Sequence, residues 1–360
     1  MKELTIKTPG KLMVAGEFAV LEPYQKLIVM AIDRFVFTTI STSETNMVHL
    51  PNFNLQHLAW QWVDGKIVFE EKDERIAFIQ AAIETTYTYL QEQDVNVAPF
   101  TITVQSELDN QASGEKYGLG SSAAVVTSVV QAMLSHCLQS SPNKDLIFKL
   151  AAIAHVRTQG NGSGADIAAS TYGGVLEYAS FQAEWLLKEI KESPSIDALI
   201  EKKWLYLSIK KSAFPSDLDI SVGWTGKPAS TKSLVNDILA LKISAPNDYE
   251  TFIQHSREAV TKIVYGMEEN DIALFLAGIS ENRLALARLG ESADVPIETE
   301  KLAELSDIAE QFGGAGKLSG AGGGDCGLAF VEEEVNVPAM HKAWITANIE
   351  PLDIHIYQGN

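Results

Sequence analysis

The sequence predicts an α+β fold in two domains. Three observations predict it: the first 40 residues are rich in strand-forming patterns, helical periodicities dominate only beyond Lys202, and strands and helices mix without strict βαβα alternation. The boundary is expected between Gly174 and Lys202, which divides the chain into 1–190 and 191–360. At about 150 residues per domain, 360 residues suit that division.

The segments LTIKT, KLMVAGEFAVL and IVMAIDRFVFTTIS are rich in β-branched and aromatic residues and read as strands. Between Asp73 and Gln93, Ile76, Ile79, Ile83, Tyr87 and Leu90 recur three or four apart, the spacing of one helix face. FTITVQ, from Phe100 to Gln105, reads as a strand; a glycine-rich turn at Gly118 then opens the apolar helix AAVVTSVVQAMLSHCL. A further helix runs from near Pro142 through DLIFKLAAIAHV to a second glycine turn, QGNGSGAD. Gly174 to Lys191 leads into KWLYLSIK and DISVGW, both strand-like. Helical patterns follow at Tyr249 to Glu268, Ile272 to Leu289 and Thr299 to Phe312. A glycine-dense loop, Gly313 to Gly327, precedes the strand CGLAFV and a last helix and strand.

Composition excludes several classes. With 46 % hydrophobic and 21 % charged residues the chain is too apolar for a disordered protein. No apolar run reaches the roughly 18 residues of a membrane span. The start, MKELTIKTPGK, has no apolar signal region and reads as strand. Cys137 and Cys326 cannot form a disulfide framework or a four-thiolate metal site, and a reducing cytoplasm suits them. A net charge of −19 repels nucleic acid and anionic membrane as partners. An anionic substrate therefore needs locally placed cations or a metal. Seven histidines show no metal-binding spacing, and His155 reads as a core or surface residue.

Three glycine loops carry the chemistry. Gly118, Leu119, Gly120, Ser121, Ser122, Ala123 and Ala124 follow a strand and head a helix. A helix N-terminus offers unpaired N–H groups and about half a positive charge, so it binds anions. The two hydroxyls suit phosphate oxygens or Mg²⁺. The bland alternative is an ordinary helix capped by Ser121. The loop Lys317, Leu318, Ser319, Gly320, Ala321, Gly322, Gly323, Gly324 and Asp325 lies between an apolar helix and an apolar strand. That setting favours a close backbone approach over a flexible linker. Gly160, Gly162 and Ala165 match G-x-G-x-x-A, but a helix precedes them where a dinucleotide fold requires a strand. Gly316 and Lys317 resemble part of a P-loop, with Leu318 where Ser or Thr is required. Asp166 is either a functional carboxylate or a helix N-cap, and Lys11 either a site cation or a solvated surface lysine.

Pro9-Gly10-Lys11, GLGSSAA and SGAGGGD, in this order and spacing, resemble the GHMP kinase superfamily from about Thr8 to Leu328. Within it, AGEFAVLEP, GNGSGADIAAS, VGWTGKPAST and SGAGGGDCG look like the phosphomevalonate kinase family of the bacterial mevalonate pathway; Phe18 follows Glu17 where mevalonate kinases carry His. The resemblance implies an N-terminal domain like ribosomal protein S5 domain 2, a ferredoxin-like helix-rich C-terminal domain, and an active site between them. It implies ATP with Mg²⁺, and γ-phosphoryl transfer to the phosphate of 5-phosphomevalonate, giving 5-diphosphomevalonate on the route to isoprenoids.

On that resemblance Lys11 and Asp166 are the catalytic pair; Lys116, Gly118, Leu119, Gly120, Ser121, Ser122, Ala123 and Ala124 bind ATP; and Ser122 ligates Mg²⁺. Lys11, Ser163, Asp219, Ser319, Gly320, Ala321 and Gly322 bind the acceptor, with Lys211, Lys232 and Arg157 as further cations. Two positions depart from the superfamily pattern: Gly114 where Pro is common, and His155 where mevalonate kinases carry a metal-binding Glu. The alternatives are a GHMP kinase acting on an alcohol such as mevalonate, and a non-catalytic ATP-binding regulator, which needs neither Lys11 nor Asp166. The partners expected are small molecules, with no nucleic acid and no membrane, and the chain is a monomer or homodimer.

Overall fold

The computed structural model describes residues 3–70, 73–109, 116–138, 141–227, 231–332 and 335–359, with the side chains of 231–233 also set aside. Gly114, residues 228–230 and the Lys232 side chain lie outside that description. In chain order the elements are β1 (Leu4–Ala15), β2 (Lys26–Thr42), β3 (Met47–Leu50), β4 (Leu55–Val63), β5 (Lys66–Phe69), α1 (Ala77–Glu92), β6 (Phe100–Ser106), α2 (Ser121–Cys137), α3 (Lys144–Gln159), α4 (Ala165–Tyr172), β7 (Val175–Ala179), α5 (Ala183–Glu192), α6 (Ile196–Glu201) and β8 (Ser208–Ser212). There follow β9 (Leu218–Trp224), α7 (Thr231–Ser244), α8 (Pro246–Glu269), α9 (Ile272–Ala293), α10 (Glu300–Gln311), β10 (Ala315–Leu318), β11 (Cys326–Glu332), α11 (Val337–Thr346) and β12 (Glu350–Leu352).

The first sheet is ordered β5-β4-β3-β6-β2-β7-β8, with β1 paired to β2. β3 and β6 are parallel and the other pairs antiparallel, so the sheet is mixed. The 17-residue β2 organises it, pairing β7 with its first half, β6 with its second half and β1 along most of its length. Helix α2 is apolar nearly all round and packs on β1 and β2, with α1, α3 and α4 around it. The second sheet, β10-β11-β9-β12, is antiparallel, and α10 and α11 cover it through Leu305, Met340 and Trp344. Helices α8 and α9 form an antiparallel pair whose Val260, Ile263, Phe275 and Ile279 share one apolar cluster with both sheets. The C-terminal tail returns to the first sheet, where the Tyr357 N–H donates to Ala31 O and the Gly174 N–H to Tyr357 O.

This is the expected two-domain α+β architecture, and several local expectations are corrected. KLMVA continues β1, but GEFAVL is a short 3₁₀ turn because Gly16 and Phe18 take positive φ (94° and 59°). KWLYL is not a strand: Trp204 turns into the core against Phe181 and Trp185, and pairing begins only at Ser208. The glycine-dense loop contains β10, and α7 and β3–β5 occupy stretches without a sequence expectation. β8 still belongs to the first sheet, so the chain crosses to the second between Ser212 and Leu218, later than the expected 190/191 boundary. Among the described residues no helix is long and apolar enough to cross a membrane.

The turn after β1 sets the entry to the site, and its glycine is obligatory. A Cβ on Gly16 would lie 2.4 Å from the Lys26 carbonyl oxygen, which is backbone and cannot swing away. Gly16→Ala is expected to cost about 1–3 kcal/mol through the positive φ and this clash, read as a lowered urea midpoint at unchanged m.

Candidate active site

Four segments meet at the junction of the two sheets: the middle of β1, the turn before α2, the turn before α4 and the loop between β10 and β11. A register shift between Pro9 and Gly10 re-aims the strand so that Lys11 points under the 118–120 turn. Its backbone N–H donates to Leu119 O at 2.9 Å, and its Nζ donates to Gly118 O at 3.1 Å. Only glycine permits this closeness. A Cβ on Gly10 would sit 2.8 Å from Leu119 O, and one on Gly120 would sit 2.9 Å from the Lys11 Cγ. The lysine is nearly buried, at 7 % exposure, so it is no solvated surface residue.

Gly120, with φ 80°, is the N-cap of α2 and leaves it without a side-chain cap. Ser121 is therefore the first helical residue and not the cap. The Ala124 N–H already bonds Gly120 O at 3.1 Å, so that amide is spent inside the helix, and its side chain is buried. The Ala123 side chain is buried as well, so only its backbone can serve a ligand. The amides of residues 121–123 precede the first intrahelical bond and carry the positive end of the helix dipole.

A cavity of about 460 Å³ opens at this helix end, lined by Lys11, Lys116, the 118–122 turn, Asp166, the 319–321 segment and Asp325. It adjoins a smaller cavity of about 100 Å³ lined by Met13, Glu17, Phe18, Ser163, Asp166 and Ala321. A third space of about 380 Å³, walled by Phe53, Phe78, Ile79 and Val125, shares Lys116, Ser121 and Ser122 with the first. Nothing in the sequence marked this apolar space, because such pockets follow no spacing rule.

Asp166 lines both of the first two cavities. It is the second residue of α4, whose cap is Gly164, so the N-cap reading of Asp166 is overturned. Its Oδ1 accepts the Ile167 N–H at 3.0 Å, and no ion pair within 4 Å joins it to Lys11. The Ser163 carbonyl accepts the Tyr178 and Ser180 hydroxyls at 2.6 and 2.9 Å, which fixes the turn that presents Asp166. Ser319 Oγ accepts the Met13 N–H at 2.8 Å and ties the late loop to β1.

Not every expected residue is here. Asp219 is exposed at the far end of β9, opposite Val331, beside a separate groove with His341 and Asp353. It is the Trp224–Thr225 end of β9 that reaches Asp325, and five residues of strand at about 3.3 Å each carry Asp219 away from the site. Gly322 faces Ile297, whose carbonyl oxygen lies 2.1 Å from its would-be Cβ, so its role is packing. Arg157 pairs with Glu84 at 3.4 Å, and Lys211 is exposed on edge strand β8.

Two buried ionisable groups beside the cavities were not given roles by the sequence. His155 Nε2 lies 3.2 Å from Ser122 Oγ, and its ring stacks on Phe78 with centroids 5.0 Å apart. Burial pushes its pKa below the usual imidazole range, opposed by the Asp166 charge. Lys317 is wholly buried and pairs with Glu17 at 2.5 Å, so the P-loop-like lysine serves no phosphate. Its Nζ also donates to the Leu318 carbonyl, and the Gly320 N–H reaches Glu17 Oε1 at 3.4 Å. Burial lowers the lysine pKa, against the charges of Glu17 and Glu298.

Residues 77–174 match the model of the GHMP kinases N terminal domain, and residues 263–349 that of the GHMP kinases C terminal region. The chain is 35 % identical to a phosphomevalonate kinase of Streptomyces sp. (strain CL190), over 96 % of this chain and 95 % of the relative. It superposes with a TM-score of 0.86 on Streptococcus pneumoniae phosphomevalonate kinase in complex with phosphomevalonate and AMPPNP, at 26 % identity, covering 98 % of this chain and 99 % of the other. A mevalonate kinase of Thermococcus onnurineus is 27 % identical, over 91 % of this chain and 88 % of the relative.

Removing one partner of the Glu17–Lys317 pair strands a charge in the interior. Lys317→Met is expected to destabilise by about 3–5 kcal/mol, and Glu17→Gln with Lys317→Met to recover most of it, measured by urea unfolding of the wild type and the two variants.

Proposed function

Because the chain belongs to the GHMP kinases, and within them to the phosphomevalonate kinases, we propose that it transfers the γ-phosphoryl of ATP onto the phosphate of 5-phosphomevalonate, giving 5-diphosphomevalonate and ADP. The observation that carries the reading is the position of Asp166, which lines both the larger cavity at the α2 N-terminus and the smaller cavity beside it. A donor in one and an acceptor in the other meet at that carboxylate and at Lys11.

In this reading the triphosphate lies along the 118–122 turn, its oxygens accepting from the backbone amides at the head of α2 and from the Ser121 hydroxyl. The base occupies the apolar space walled by Phe53, Phe78 and Val125, and Lys116 lies where the two spaces join. The acceptor occupies the smaller cavity, bounded by Ser163, Gly320 and Ala321. Phosphoryl transfer is mainly positioning and charge neutralisation. Lys11 supplies a fixed positive charge, held by Gly118 O and unable to swing into solvent. Asp166 orients the acceptor. A phosphate oxyanion with a second pKa of about 6 is already a nucleophile at neutral pH, so the carboxylate need not take a proton.

Mg²⁺ fits the donor set. Ser122 Oγ, Asp166 and Asp325 are oxygen donors on one cavity, which suits an ion held through one or two protein oxygens, substrate phosphates and water. Among the described residues no cluster of three His, Cys, Asp or Glu could hold a metal unaided, in keeping with an ion that arrives with the nucleotide. When bound, the ion neutralises charge on the phosphates.

ADP release with ATP and Mg²⁺ should proceed on phosphomevalonate and not on mevalonate; turnover on mevalonate would reassign the acceptor, and silence on both would favour a regulator. Asp166→Asn should lower kcat by about 10²-fold while ATP affinity stays within about twofold, measured by steady-state kinetics and nucleotide titration. Lys11→Met should lower kcat by about 10²–10³-fold.

A further inference from the structure

We infer that His155 is a positioning residue of the phosphate site, whose Nε2 accepts the Ser122 hydroxyl hydrogen and so turns the Ser122 Oγ lone pairs into the cavity. The inference rests on the reading that nucleotide phosphates and their metal occupy that cavity.

The geometry supports it on three counts. The Nε2 to Oγ separation of 3.2 Å is within hydrogen-bond reach, and the contact links α3 to the head of α2. The ring is held in place: His155 is 3 % exposed, lies in the C-terminal half of α3 and stacks on Phe78 at an interplanar angle of 28°. Ser122 lines the phosphate cavity and His155 lines the acceptor cavity next to Asp166, so the pair forms part of the wall between the two.

The chemistry follows from the donors and acceptors available. A serine hydroxyl has one hydrogen and two lone pairs, and a neutral imidazole has one nitrogen that accepts. Free to rotate, the hydroxyl would spend its hydrogen on a phosphate oxygen and present only part of its acceptor capacity to a cation. With the hydrogen given to Nε2, the oxygen meets the cavity as an acceptor, which is what a hard divalent ion needs. Partners that orient a ligand in this way typically govern metal affinity by about 10–100-fold. A buried histidine that is merely satisfied by a nearby hydroxyl would have no such effect.

The test is binding of AMPPNP to the full-length protein by calorimetry, with Mg²⁺ and again in EDTA, the ratio of the two affinities being the magnesium increment. His155→Phe should reduce the increment on the order of tenfold and leave the EDTA affinity within about twofold of wild type. His155→Gln, whose amide reaches the Nε2 position, should restore most of it. His155→Asn, polar but too short, should not. Ser122→Ala should lose as much as His155→Phe, and the double variant no more than either. A folded His155→Phe or His155→Asn protein with a wild-type increment overturns the inference; so does a loss that adds to that of Ser122→Ala, or a wild-type protein with no increment. Should the Phe variant not fold, the Asn and Gln variants decide the question. Turnover of phosphomevalonate by the wild-type protein is measured in parallel, so failure of the functional reading is seen separately from failure of this one.

Discussion

The geometry of the site depends on one buried ion pair. Glu17 lies in the turn after β1 in the first half of the chain, and Lys317 lies in β10 of the second half. Both are withdrawn from water, at 2 % and 0 % exposure. Burying two charges costs several kcal/mol each, and their attraction offsets this only when geometry and extra hydrogen bonds are good. Here the lysine also meets the Leu318 carbonyl and the carboxylate also meets the Gly320 amide. The pair ties the loop after β10 to the turn after β1, beside the contacts that set Ser319 against Met13 and Gly320 beside Lys11.

The head of α2 can serve an anion because no side chain caps it, a property it shares with α1, α4, α5 and α8 but not with the other helices whose caps are described. Helices α3, α6, α9, α10 and α11 are closed by capping side chains from Asn143, Ser195, Asp271, Thr299 and Asn336. Helices α2 and α4 begin instead at Gly120 and Gly164, both left-handed and neither supplying a side chain. A capping oxygen is usually worth about 1 kcal/mol. At the head of α2 its omission leaves amides facing the cavity, whereas at α4 the Ala165 N–H donates to Ser163 Oγ and the Ile167 N–H to Asp166 Oδ1. This also answers the charge of the chain. A protein of net charge −19 repels anions at long range. At short range, the head of α2 and the nearly buried Lys11 place positive charge beside the carboxylates of Asp166 and Asp325.

Much of this was legible beforehand. Lys11, the 118–122 turn, Asp166, Ser319 and Ala321 were named from motifs and do gather on adjoining cavities. The misreadings share one cause. Asp219 and Gly322 lie within the same motif neighbourhoods as site residues, but a strand carries one away from the site and a packed backbone turns the other aside. Ala124 belongs to GLGSSAA, yet its amide is spent inside the helix. Proximity in sequence does not say which face of an element a residue occupies.

By itself the sequence determined the fold class, the positions of the three glycine turns and the chemistry they suit, because hydrophobic periodicity and glycine placement are local properties of a chain. It also determined which cation and carboxylate to consider. Tertiary structure alone decided that Lys317 pairs with Glu17 and that His155 meets Ser122, contacts across 300 and 33 residues. It also decided that an apolar space opens beside Ser121 and Ser122. The pairing of a buried group is set by which helices and strands pack together in three dimensions, and no spacing along the chain encodes it.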